Sequence, residues 1–551
     1  MSLLGQLPGE LYSSIFDYLP KEVVQCTVLS LTRVFPKAAI PLRYLYASIR
    51  VRKQGQEVAL NRHLRELKSR ESKAKEEGDT STSSPMAMIY ELSVELWTVD
   101  ADILVNIVGM LRTYRLKSLT IWIGPNNFSP EHLEEMFQRP IESLVYLGLR
   151  FRPYVKRATY YQFLKGAYFD TTISALARWP ESSFPTLSIV QDPLKADPDI
   201  PVPGGGQSFA QPIVFFRLDP CISALLQSPA LSASLNAFRL RVPSRPVVRA
   251  LCYPPLMSEN SDGDPVSTPH LEVLDLSTSN VLEGEVDLIL SHYKDLKHLL
   301  LDDCIILRGE LGVGEWSAMG KRCAMAGARR AKECEKALTA WYERRTIAAF
   351  SGSDSSPAAM PEQARRPRRG RRGLATATIS IRDDPPNPGP SRPPAGLPRE
   401  ALPRFKILPP IPSLRTLCAT TSSSVHPDAY ETIRSEFEAG WAEGIAQLAV
   451  RRARLRESAK LGTKILRFSE GDTVPEVNEW EWNGMLAYAA SHGLELVDKA
   501  DLEAFDTLGY GSGDPKDIPT PILCLAGGEE SALHVPGCGH SVVADLWPVQ
   551  G

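Results

Sequence analysis

Apolar positions in the first fifty residues fall at helical intervals. Leu7, Pro8, Gly9, Glu10 and Leu11 have the form of a helix start, because proline loses nothing in the first turn and Glu10 suits the positive end. Leu11, Ile15 and Leu19 follow at i, i+4 and i+8 as one apolar stripe. Pro20 punctuates, a second helix carries Val23, Val24, Thr27 and Leu31 as far as Pro36, and a third segment runs from Ala38 to Tyr46. Three short helices bury too little surface to be comfortable alone, so such a unit completes its core by docking on something else.

Further along, short strand-like phrases alternate with helical stretches. The apolar phrases are Leu92, Val94 and Leu96; Leu116, Leu119 and Ile121; Leu144, Leu147 and Leu149. Helical runs lie between them, first Ile103, Leu104, Ile107 and Leu111, then Leu133, Met136 and Phe137. Leu119 lies 27 residues after Leu92, and Leu147 lies 28 after Leu119. The phrase returns at Leu235, Phe238 and Leu240, at Leu271, Leu274 and Leu276, and at Leu296, Leu299 and Leu301. A period of about 20–29 residues with one strand and one helix per unit is that of a leucine-rich repeat, whose units close a core only by stacking. The segments around Tyr160 to Phe163, Phe184 to Ile189 and Ile213 to Phe216 read as degenerate repeats, and Gly204 to Gly206 as a loop. A dinucleotide-binding sheet would alternate in the same way, but no G-x-G-x-x-G follows a strand here.

The predicted organisation is a helical unit at 1–51, a linker at 52–86 whose charged part is compatible with a helix and whose end is Ser/Thr-rich and solvated, and a repeat array at 87–310. A long helix follows at 311–350, then a Pro/Arg-rich insertion at 351–404 whose composition cannot bury a core and predicts disorder. Residues 405–551 hold the last repeats, a second long helix through Tyr430, Phe437, Trp441, Ile445, Leu448 and Leu455, and a C-terminal cap. The two long helices are expected to pair with each other or to lie along one flank of the array. Within the insertion Arg365, Arg366, Arg368, Arg369, Arg371 and Arg372 form a basic block. It reads as a solvated tether or a nuclear-import address; without interleaved aromatics it lacks the stacking that RNA binding uses.

Composition narrows the function classes. Sixty-two Lys and Arg against 65 Asp and Glu leave a net charge of −3, the wrong balance for a dedicated nucleic-acid binder. Nine cysteines without a repeated short spacing form no disulfide framework, and the paired C-x2-C and H-x3–5-H spacings of zinc modules are absent, so no metal and no cofactor are expected. No secretory n-region and no membrane-length apolar run occur, which predicts an intracellular protein, cytoplasmic or nuclear, with no membrane partner.

The run Leu7, Pro8, Glu10, Leu11, Ile15, Phe16, Leu19 and Pro20 resembles the F-box, the module that docks on the Skp-type adaptor of cullin-based ubiquitin ligases. Leu31 to Pro36 stands where the family has the tryptophan of its third helix. That segment, together with Pro125 to Phe128 and Phe151 to Tyr154, looks like a fungal branch of the F-box/leucine-rich-repeat proteins. The resemblance implies an α/β repeat protein in which a three-helix F-box precedes an irregular leucine-rich-repeat solenoid, interrupted by a helical and disordered insertion. It implies a substrate-recognition subunit of an SCF-type ligase, not itself an enzyme. Its partners would be the adaptor, the cullin-type ligase core and a protein target. By resemblance Leu7, Pro8, Leu11, Ile15, Phe16 and Leu19 contact the adaptor. Strand alternation offers Thr120, Trp122, Arg150, Arg239, Arg241, Asp275 and Ser277 as outward, target-facing positions.

Two rivals belong to other classes. One is a non-catalytic scaffold that recruits no ligase. The other is an α/β-hydrolase, suggested by the strand-like Pro521 to Leu525 and the loop from Val535 to His540. A hydrolase needs a G-x-S-x-G elbow, and only Gly511, Ser512 and Gly513 approach one. Cys538 and His540 lie too close in sequence to promise an oriented nucleophile–base pair.

Overall fold

The computed structural model describes residues 3–76, 84–124, 128–151, 167–180, 185–192, 218–259, 268–304, 307, 309, 311–351, 404–421, 425–469, 484–497, 518–527 and 533–547. The basic block at 365–372, Ser512, and the phrases at Tyr160 and Ile213 lie outside the described residues. The chain divides into two compact units. The first comprises Met1–Ala331, Pro409–Arg452 and Glu503–Gly551; the second comprises Lys332–Leu408 and Ala453–Leu502.

The first unit is built on a ten-stranded, all-parallel sheet. Its strands are β1 Ser48–Val51, β2 Glu91–Val94, β3 Ser118–Ile123, β4 Tyr146–Phe151 and β5 Thr186–Gln191, then β6 Ala237–Arg241, β7 Val273–Asp275, β8 His298–Leu301, β10 Thr416–Ala419 and β13 Ile522–Cys524. They pair in that chain order. One register row runs through Leu92, Leu119, Leu147, Leu187, Phe238, Leu274, Leu299, Leu417 and Leu523. Every member is at most 3% exposed. Fully burying one such side chain is worth roughly 1.5–3 kcal/mol, so a slip of one residue in any strand would forfeit that and turn the leucine to the other face.

Helices cover the leucine face. Ala101–Leu111 buries Leu104, Ile107, Val108 and Leu111, and Pro130–Phe137 buries Leu133, Met136 and Phe137. Their starts are capped where the sequence offers a side-chain oxygen: Asp100 accepts the N–H of Ile103 at 3.1 Å, and Ser129 accepts that of His132 at 3.4 Å. Two stretches add to the predicted organisation. A helix, Gln56–Glu76, runs through the charged part of 52–86, since Leu60, Leu64 and Leu67 recur at helical spacing and bury against the sheet core. The strand β1 lies inside the predicted 1–51 module, so the sheet begins earlier than the repeat phrases indicate.

The long helices Trp316–Ser351 and Tyr430–Lys460 meet, within the first unit, at glycines. A Cβ on Gly440 would come far inside van der Waals contact of the Ser317 carbonyl oxygen, and one on Gly320 would do the same at that of Phe437. Lys321 Nζ reaches Glu443 Oε1 at 2.7 Å across the same contact. The second unit is a three-stranded sheet: β9 Phe405–Ile407 runs parallel to β11 Lys464–Phe468, and β12 Leu494–Leu496 runs antiparallel to it. Trp341 stacks on Tyr488 there, with ring centroids 4.3 Å apart. Among the described residues no helix is long and apolar enough to cross a membrane.

Candidate functional site

Three places on the first unit carry side chains beyond what packing requires. The first is the N-terminal helical bundle. Helix Gly9–Asp17 starts immediately after Pro8, helix Lys21–Val34 after Pro20, and a single turn, Arg43–Tyr46, completes the group. Its own core is Tyr12, Phe16, Val28 and Ile40, with Leu7, Leu19, Val24 and Leu31 partly buried around it. Phe16 packs between Tyr12 and Tyr44, at centroid distances of 5.8 and 5.0 Å. The expected contact set therefore divides. Phe16 is 1% exposed and belongs to the interior, because the aromatic pair Tyr12 and Phe16, not Leu11 and Leu19, fills the inner face. Pro8 is exposed, and so are Leu11 and Ile15, at 49% and 44%. With Tyr18, at 92%, the last two form a stripe at i, i+4 and i+7 along one face. Val23, Val34 and Leu42 are exposed as well.

The second place is the sheet face opposite the leucines. Its register row reads Ser93, Thr120, Gly148, Ser188, Arg239, Asp275, Leu300, Cys418 and Cys524. Asp275 is wholly buried between Arg239 and Arg241: Arg239 Nε donates to its Oδ2 at 2.8 Å, and Arg241 Nη2 lies 2.8 Å from the same oxygen. Burial alone would raise the Asp275 carboxyl, and the two guanidiniums reverse this and hold it well below the usual carboxylate range. Asp275 Oδ1 also accepts the backbone N–H of Ser277, whose Oγ in turn accepts that of Asp302 at 3.2 Å.

Asp275, Ser277 and Thr120 are thus interior positions, and Arg239 is 9% exposed. Outward alternation does not leave them open to a target, because the chain covers this face itself. Helix Gly539–Leu546 crosses it, and Trp547 packs against Tyr146, with Arg239 4.5 Å from the Trp547 ring centroid. The C-terminal segment is therefore not only a cap on the last strand. Nearer the N-terminal edge the face is more accessible. There the Trp97 and Trp122 rings pack at a tilt of 35° with centroids 4.8 Å apart, Arg150 lies over the Trp122 ring at 4.8 Å, and Arg150 Nε pairs with Asp192 at 2.5 Å.

The third place was not predicted. Cys524, His534, Cys538 and His540 each bring one ligand-type atom within 4.8 Å of the others. Cys524 Sγ and Cys538 Sγ lie 3.4 and 3.9 Å from His534 Nδ1, and Cys538 Sγ lies 3.6 Å from His540 Nδ1. The other nitrogen of His540 is 2.8 Å from Asp302 Oδ2. Hydrogen bonding from Cys418 draws the Cys524 and Cys538 thiols below their ordinary range, and His540 adds to this. Burial pushes His540 down, but Asp302, Cys524 and Cys538 carry it up to about 11. Gly539 makes the approach possible, since a Cβ there would sit 2.8 Å from Thr416 Oγ1 and 3.0 Å from Cys418 Sγ.

A search for a C-x2-C pair followed by H-x3–5-H misses this group, because His534 and His540 have the second spacing but no C-x2-C precedes them. Its spacing is C-x9-H-x3-C-x-H, and Cys418 and Asp302 come from strands more than 100 residues upstream. The one available signal was the density of Cys and His between Cys524 and His540. Cys538 and His540 do meet, and two further ligand-type side chains, Cys524 and His534, meet with them.

Fold and sites define an α/β protein on a chain-ordered parallel sheet, with an apolar helical bundle at one end of its sequence and a Cys/His cluster at the other. No protein-family model, no curated protein and no solved structure matches the chain.

Proposed function

We propose that the chain is the substrate-recognition subunit of an SCF-type ubiquitin ligase, an F-box followed by an irregular leucine-rich-repeat solenoid. The observation that carries this reading is the solvent-exposed stripe of Leu11, Ile15 and Tyr18 on a small three-helix bundle. Leu11 and Ile15 are already about half covered, so burying the remainder against an adaptor would supply roughly 1.5–3 kcal/mol of gross stabilisation, one part of the docking energy. The sequence pattern from Leu7 to Pro20 and the strand-per-repeat order of the sheet support the same assignment. In this role the chain breaks and makes no bonds. It raises the effective concentration of a target lysine near the charged ubiquitin carrier.

Target recognition falls to the accessible end of the polar sheet face, around Trp97, Trp122 and Arg150. Arg241 is half-covered, and Arg239 and Asp275 lie further along the same face beside the C-terminal segment.

Affinity purification of the full chain tests the proposal. Wild type should retain a Skp-type adaptor and a cullin, and the double variant Leu11→Asp/Ile15→Asp should lose at least about tenfold of both, equivalent to 1.4 kcal/mol. Both residues are exposed, so circular dichroism should stay unchanged. Retention of the adaptor by the double variant would overturn the docking surface. Absence of adaptor and cullin from the wild-type eluate would favour the scaffold reading.

A further inference from the structure

We propose that Cys524, His534, Cys538 and His540 form a closed, tetrahedral Zn2+ site that pins the C-terminal helix across the polar face of the ten-stranded sheet.

The distances are those of a tetrahedron's edges. With Zn–S near 2.3 Å and Zn–N near 2.1 Å, a tetrahedral ion sets its sulfur and nitrogen ligands about 3.6 Å apart. Three of the cluster's four sulfur–nitrogen separations are 3.4, 3.6 and 3.9 Å, and all four ligand atoms lie within 4.8 Å of one another. Thiols and imidazoles without metal have no reason to converge four at a time, since each pair satisfies at most one weak hydrogen bond.

Donor chemistry selects the ion. Two thiolates and two neutral imidazoles match the borderline softness of zinc, whereas calcium and magnesium take oxygen ligands. In the loaded site the two thiolate charges cancel the two of the ion. The loaded site is neutral, as its partly buried position requires. Four protein ligands leave no open coordination position, so the site is structural and not hydrolytic.

The surroundings are those of a ligand set held from outside. His540 presents Nδ1 to the cluster while Nε2–H donates to Asp302 Oδ2 at 2.8 Å, which fixes both the tautomer and the ring plane. Asp302 is 5% exposed and extends from the end of β8. Cys418, buried on β10, stands beside Cys524 in register. Cys524 ends β13, Cys538 stands immediately before helix Gly539–Leu546, and His540 lies in its first turn. One ion would therefore join strand to helix and hold Trp547 against Tyr146. A segment this short, with few large apolar residues, needs such a staple.

Elemental analysis of the purified full chain, with any affinity tag removed, should find one zinc per molecule after dialysis. Cys538→Ser and His534→Gln should each reduce zinc to background. Cys221→Ser, which removes a thiol outside the cluster, should leave it bound. Replacing zinc with Co2+ should give the intense visible bands and thiolate charge transfer of a tetrahedral S2N2 site. If a variant cannot be purified, the wild-type cobalt spectrum decides alone. A metal-free wild type that shows only the weak octahedral cobalt spectrum overturns the proposal, as does undiminished zinc in His534→Gln and Cys538→Ser.

Discussion

His292 ends helix Glu283–His292 at 4% exposure, and its Nε2 finds no hydrogen-bond partner among the described residues. Arg330 Nη1 donates to the carbonyls of Ser291 and His292 at 2.9 and 2.6 Å. Burial pushes the imidazole down from 6.5 to about 4, and the Arg330 charge adds to that. The folded value lies below the unfolded one, so between them the unfolded chain binds more protons and stability falls as the pH drops. The full effect is at most about 3 kcal/mol. Denaturant unfolding from pH 7 to 4 should show this loss in wild type, and His292→Leu should remove that part of the slope. An identical slope in both proteins would contradict the assignment. At this scale chemistry was legible only where neighbours in sequence are neighbours in space. The Asp275 clamp joins residues 34 and 36 positions apart, and no local pattern announces it.

Elements were the most legible level. The spacing of the leucine phrases placed β2, β3, β4, β6, β7 and β8, because inward leucines must repeat once per unit for neighbours to share a core. Glycines, in contrast, were silent in the sequence. Gly109 on helix Ala101–Leu111 has nothing within 4 Å of where an added methyl would sit, so Gly109→Ala should stabilise by about 0.5–1 kcal/mol. The same change at Gly440 would drive a methyl into the Ser317 carbonyl and should cost about 1–3 kcal/mol. Thermal melts of the two variants should therefore move in opposite directions. Equal shifts would mean that the two long helices do not meet at Gly320 and Gly440.

For the whole first unit, the C-terminal segment decides what the sheet presents. Trp547 is 3% exposed and closes a cluster with Tyr146, Ala237, Val273, Leu300 and Val543. Trp547→Ala removes most of that contact, and substitutions of this kind cost about 3–5 kcal/mol in a well-packed interior. Because the helix lies at the end of the described chain, the loss should appear as local opening. Hydrogen exchange in Gly539–Leu546 should accelerate at least about tenfold, while the amides of β3 to β6 keep wild-type protection. Uniform acceleration across the sheet would show instead that the segment folds as one with it.

The sequence by itself determined the strand phrases, the helical coverings and the proline-punctuated N-terminal bundle, since each is written in periodicities of two or 3.6 residues that burial enforces locally. Only the tertiary structure decided that Phe16 faces inward, that Asp275 is buried rather than offered to a partner, and that four Cys and His side chains converge. Those outcomes depend on which segment lies over which face of the sheet. That choice joins Asp302, Cys418 and His540 across more than a hundred residues, a separation at which local pattern carries no information and only packing of the complete chain selects the neighbours.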